Sequence, residues 1–104
     1  MSRGGEPIVC RMDALTVAER DRRSEVLKVL RGRLIEGKET DDGIAFHLRG
    51  GPDVPALAGE FVSFESRCCP FLRFGLDVAA GGDPVVLRLG GGPGVKEFLR
   101  QAFL

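Results

Sequence analysis

Apolar and polar positions switch between strand and helix spacing in a regular succession along the chain. Pro7-Ile8-Val9-Cys10 is a short β-prone run that predicts a first strand, with Ile8 and Cys10 on one face and Val9 on the other. Residues 1–6 before it read as flexible. Thr16 and Glu19 then have the spacing of a capping box, in which each side chain accepts the other residue's backbone N–H. A helix from about 17 to 31 is expected behind it, its apolar character concentrated at Val26, Leu27, Val29 and Leu30, with Gly32 as terminator. Two β-prone runs, 33–38 and 44–49, flank Thr40-Asp41-Asp42-Gly43, a hairpin signal because Asp-Gly tolerates the backbone of a tight turn. In the second run Ile44, Phe46 and Leu48 alternate with Ala45, His47 and Arg49, which puts His47 on the wetter face.

Asp53 is placed to cap a second helix, with Pro55 in its first turn. From Val54 to about Cys68 the residues Val54, Leu57, Ala58, Phe61, Val62, Phe64 and Cys68 follow helical spacing; Glu60 and Glu65 are assigned to the opposite, solvated side. Pro70 stops this helix and drives Cys69 out of the α region. Runs 71–78 and 84–89 form a second hairpin, Gly90 to Gly94 make a turn, and a last helix is expected from about 94 to 103. The order β-α-β-β-α-β-β-α predicts an α+β fold over 1–104 as a single domain: a mostly antiparallel sheet with helices on one face.

Charge narrows the function classes. Fifteen basic residues balance fifteen acidic ones, so no net field draws the chain to nucleic acid or to an anionic membrane, and neither is expected as a partner. The arginines between Arg20 and Arg33 are interleaved with acidic residues and read as a solvated helix face. The N-terminus has no apolar signal core, and no apolar run approaches the ~20 residues of a membrane span; the expected location is the cytoplasm. Three cysteines in a reducing compartment imply free or metal-bound thiols rather than a disulfide framework.

Two of those cysteines are adjacent, in Arg67-Cys68-Cys69-Pro70-Phe71. Inside a regular helix neighbouring side chains diverge by about 100°, but a proline that ends the helix between them lets both thiols turn to one side. A disulfide between them is disfavoured, because adjacent Cα atoms lie ~3.8 Å apart and ordinary bridges span about 4.4–6.8 Å. Two thiolates there can share a soft ion, and Cys10, on the core side of the expected first strand, is a candidate third. Cys10, Cys68 and Cys69 are thus the candidate ligands, and such a set suits Hg(II), As(III), Sb(III) or Cu(I), or Zn(II) with a fourth ligand. His47 is a poor fourth ligand, being on the wetter face. No organic cofactor is indicated.

A helix C-terminus disfavours a thiolate, so an activated nucleophile is the weaker reading, with Arg67 and Arg73 offsetting this only in part. No catalytic residue is assigned. The turn Gly90 to Gly94 before Lys96 lacks the Gly-Lys-Ser/Thr of a nucleotide loop and reads as a plain turn.

The segments Arg67-Cys68-Cys69-Pro70-Phe71-Leu72-Arg73-Phe74 and Gly92-Pro93-Gly94-Val95-Lys96-Glu97-Phe98-Leu99 resemble a family of small uncharacterised bacterial proteins with a Cys-Cys-Pro-Phe motif. The resemblance implies an association with heavy-metal resistance and brings no catalytic residues with it. The expectation is therefore a soft-metal or metalloid thiolate-binding protein for sequestration or hand-off. The alternatives are a thiol enzyme or redox sensor using Cys68 or Cys69, and a non-catalytic interaction domain with structural cysteines. Either hairpin edge permits a homodimer.

Overall fold

The computed structural model describes residues 8–103. Three helices and a four-stranded antiparallel sheet follow in the order α1 (Val17–Arg33), β1 (Leu34–Glu39), β2 (Gly43–Leu48), α2 (Val54–Cys68), β3 (Arg73–Val78), β4 (Val85–Gly90) and α3 (Val95–Phe103). The strands lie side by side as β1-β2-β4-β3, so each hairpin contributes one central and one edge strand. The α+β class is as expected. The first strand is not formed: Ile8 to Cys10 is irregular and leads into a 3-10 turn, Met12–Ala14. Both edges of the four-stranded sheet are taken by the hairpins, and the N-terminal segment instead crosses the end of α2. Pro7 and the expected flexible residues 1–6 lie outside the described residues.

Alternation sets the faces of the sheet. Ile44, Phe46 and Leu48 of β2 stand opposite Leu89, Leu87 and Val85 of β4, and all six are buried in one core with Val26 and Leu30 of α1, Phe61 and Phe64 of α2, and Leu99 of α3. The intervening positions, among them His47 and Arg88, face away from the helices.

The capping box forms as its spacing predicts: the Glu19 N–H donates to the Thr16 hydroxyl at 3.1 Å, and the Thr16 N–H to the Glu19 carboxylate at 2.9 Å. Gly32 does not end α1, which runs through it to Arg33 and passes directly into β1. Asp53 precedes α2 but makes no side-chain cap. Pro70 acts as expected: α2 ends at Cys68, and Cys69 leaves the helix at φ −125°, ψ 73°.

Candidate metal centre

The site is built at the C-terminal end of α2. Cys68 and Cys69 are fully buried, and so is Glu65, one turn earlier. Positions three apart share a helix face, so Glu65 and Cys68 stand on one side of α2, and Cys69 follows at its C-cap. The Glu65 oxygens and both sulfurs lie within 4.8 Å of one another. The Cys68 thiol donates to the Phe64 carbonyl at 3.3 Å and lies 3.4 Å from Glu65 Oε2; the Cys69 thiol points at Glu65 Oε1 from 4.0 Å.

A buried carboxylate needs a partner, and Arg23 of α1 supplies it. Its Nε donates to Glu65 Oε2 at 2.5 Å and its Nη2 to Oε1 at 3.1 Å, a bidentate pair across the helix interface. The Arg23 side chain is itself only 15% exposed. Glu65 therefore does not belong to the solvated face with Glu60. Glu60 remains partly exposed and pairs with Arg22. Arg23 likewise departs from the solvated run: it shares a face of α1 with buried Val26 and Leu30.

The N-terminal segment that holds Cys10 runs past the end of α2, although not as a strand. Cys10 is half-buried and packs against the core, but it is not in the group that Glu65, Cys68 and Cys69 form within 4.8 Å. The segment is tied down along its length. Arg11 N–H donates to the Cys68 carbonyl at 2.6 Å, which satisfies one of the free carbonyls at the end of α2. Arg20 donates to the Met12 carbonyl at 3.2 Å, and Arg67 donates to the Ala14 carbonyl while holding both oxygens of Glu19. Leu15 is buried. At the other end Ile8 lies so close to Gly94, at φ 89°, that a Cβ there would come within 2.7 Å of its Cδ1. Residues 8–15 form a strap across the paired cysteines.

Burial governs the protonation of these thiols. Removal from water pushes Cys68 up from 9.0 to about 11, reinforced by the neighbouring Glu65 charge, while Arg23 pulls weakly the other way. Cys69 is raised further, first by burial and then by the neighbouring Cys10 and the charge of Glu65. The cation facing the thiols is Arg23. Arg67 is engaged by Glu19, and Arg73 pairs with Asp42 on the exposed side. Protonated thiols that donate to a carboxylate are not activated nucleophiles, but they are deformable donors for a soft ion.

The remaining sequence candidates fall elsewhere. His47 lies on the sheet face opposite the core and does not reach the sulfurs. The glycine turn after β4 borders a surface depression shared with Asp41 and Asp42, whose charge opposes an anion. An apolar cavity of about 40 Å³ between Leu30, Phe46, Leu48, Phe61 and Phe103 includes none of the cysteines. No helix among the described residues is long and apolar enough to cross a membrane. No family model, curated protein or solved structure matches the chain significantly.

Proposed function

We propose that the chain is a soft-metal or metalloid thiolate-binding protein that sequesters or hands on its ion, with Cys68 and Cys69 as principal ligands and Cys10 as the third. The observation that carries this reading is the convergence of two fully buried sulfurs and a buried carboxylate within 4.8 Å. Cysteines used only as small core residues need no charged neighbour. Here an ion pair has been taken out of water beside them, at a desolvation cost of several kcal/mol per ion. That cost is understandable where a cationic ligand must be met by a polar, hydrogen-bonded surround. The reading assigns the protein to a reducing compartment, the cytoplasm, where the thiols stay free, and to a role in metal resistance.

A redox enzyme is not favoured, because burial raises the thiols rather than lowering them. The test is equilibrium dialysis of the reduced protein against Cd(II) and Hg(II). One ion held per chain is expected, with loss of binding in Cys68→Ser and Cys69→Ser. Retention of full affinity in both variants would remove the reading.

A further inference from the structure

The metal-binding reading leaves the charge of the ion open; the surroundings of Glu65 narrow it. Glu65, Cys68 and Cys69 each place one donor atom within 4.8 Å of the other two. Cys68 Sγ lies 3.4 Å from Glu65 Oε2, and Cys69 Sγ lies 4.0 Å from Oε1. In a tetrahedral centre with metal–sulfur bonds of ~2.3 Å and a metal–oxygen bond of ~2.0 Å, a sulfur–oxygen edge is about 3.5 Å and a sulfur–sulfur edge about 3.8 Å. The three donors already stand near the corners of such a centre, and shifts of about 1 Å close it. Arg23 does not block the carboxylate. Its two hydrogen bonds occupy two of about four lone-pair sites on the oxygens and leave the others free.

Charge then selects the ion. Two thiolates and a carboxylate carry three negative charges, and Arg23, only 15% exposed, offsets one of them. A divalent ion leaves no net charge on the group. Cu(I) leaves one negative charge and a trivalent metalloid one positive, where Cys68, Cys69 and Glu65 have no exposure to solvent. An uncompensated buried charge is strongly destabilising. We infer that the site holds a divalent thiophilic ion, Zn(II) or Cd(II), on Cys68, Cys69 and one oxygen of Glu65, with Arg23 hydrogen-bonded to the carboxylate from outside. The inference rests on the metal-binding reading and puts Glu65 ahead of Cys10 as third donor, since Cys10 is outside the group within 4.8 Å. Its chemistry balances without a co-reactant. Two S–H bonds break, two metal–sulfur bonds and one metal–oxygen bond form, and the two thiol protons leave to solvent. Nothing is oxidised or reduced, and the buried group is neutral both before and after. The role of Arg23 is that of a positioning residue: it aims the carboxylate and supplies the charge that makes a dication the right fit.

The experiment loads the reduced full chain with Zn(II) and counts its ligands by X-ray absorption at the zinc edge. Two sulfurs at ~2.3 Å with oxygen at ~2.0 Å are expected. Three sulfurs would overturn the inference and leave the metal-binding reading intact, and this arm needs no variant to fold. Affinities for Zn(II) and for Cu(I) are then measured by competition with chelators in Glu65→Gln and Cys10→Ser. Glu65→Gln leaves two thiolates beside Arg23, a single negative charge that suits a monovalent ion. Its Zn(II) affinity should fall by about tenfold or more while its Cu(I) affinity holds, and Cys10→Ser should keep its Zn(II) affinity within about threefold. Equal losses for both ions in Glu65→Gln would show a structural role only and overturn the inference, as would loss of Zn(II) binding in Cys10→Ser. Tight Cu(I) binding with no Zn(II) bound by the wild type overturns it while sparing the metal-binding reading. Failure of the wild type to bind either ion removes both.

Discussion

The Glu65 carboxylate, with no exposure to solvent, receives both of its charged hydrogen bonds from Arg23, at 2.5 and 3.1 Å. This pair joins α2 to α1 at the level of the paired cysteines, and it is the polar half of a site whose other half is sulfur. Its energetics are asymmetric. Breaking a buried pair by removing one partner costs far more than replacing both with apolar groups.

Arg23→Met is therefore expected to destabilise the fold by about 3–5 kcal/mol, because Glu65 is left charged and unpaired. The double change Arg23→Met with Glu65→Leu should recover most of that loss. Urea unfolding of the two single variants and the double variant, read as a double-mutant cycle, measures it. Additive losses would show that the pair does not act as a unit.

Thiol reactivity should follow the strap. Cys10 is half-buried, whereas Cys68 and Cys69 are fully buried, so Cys10 should be alkylated first by iodoacetamide in the native protein. Cys68 and Cys69 should react only through local opening. Arg67→Ala removes the bonds to Glu19 and to the Ala14 carbonyl and should speed modification of the inner pair, leaving unfolded-state rates unchanged. Peptide mass mapping over time separates the three sites.

Stability should depend on pH at both ends of the scale. Burial pushes Cys68 up from its ordinary 9.0 to about 11, so between those values the folded state keeps a thiol proton that the unfolded chain has lost. Its contribution is fully present below pH 9.0 and is lost as pH rises through about 11, a change on the order of 2 kcal/mol. On the acid side the hydrogen bond from Arg67 holds exposed Glu19 at about 2, against an ordinary 4.5. That contribution is present above pH 4.5 and fades as pH falls through about 2. Denaturation midpoints of Cys68→Ala should lack the alkaline loss of this residue, and those of Glu19→Gln the acid one.

Much of the architecture was legible because short-range chemistry dictated it. The Thr16 and Glu19 box, the Asp-Gly turn before β2 and Pro70 after α2 are local signals, and each element starts or stops where they stand. Gly32 misled, because a glycine costs a helix only about 1 kcal/mol and tertiary packing carried α1 one residue past it. The run at Ile8 to Cys10 has strand composition, but strands need a partner, and the hairpins supply both edges of the sheet.

At the site the thiols were conspicuous and their ionic partners were not. A glutamate and an arginine 42 positions apart look solvated one at a time, and only the packing of α1 on α2 makes them a pair. The signal was nonetheless present in the spacing. Glu65 stands four residues after Phe61 and three before Cys68, and Arg23 stands three before Val26, so both lie on apolar stripes. A charge on the core stripe of a helix calls for an opposite charge on a facing one.

The most direct test of the account is a Hg(II) titration of the reduced protein followed by thiolate-to-metal charge-transfer absorbance, compared with the Cys68→Ser/Cys69→Ser double variant. A break at one ion per chain is expected in the wild type and no such band in the double variant. A band of equal intensity and stoichiometry in both proteins would contradict it.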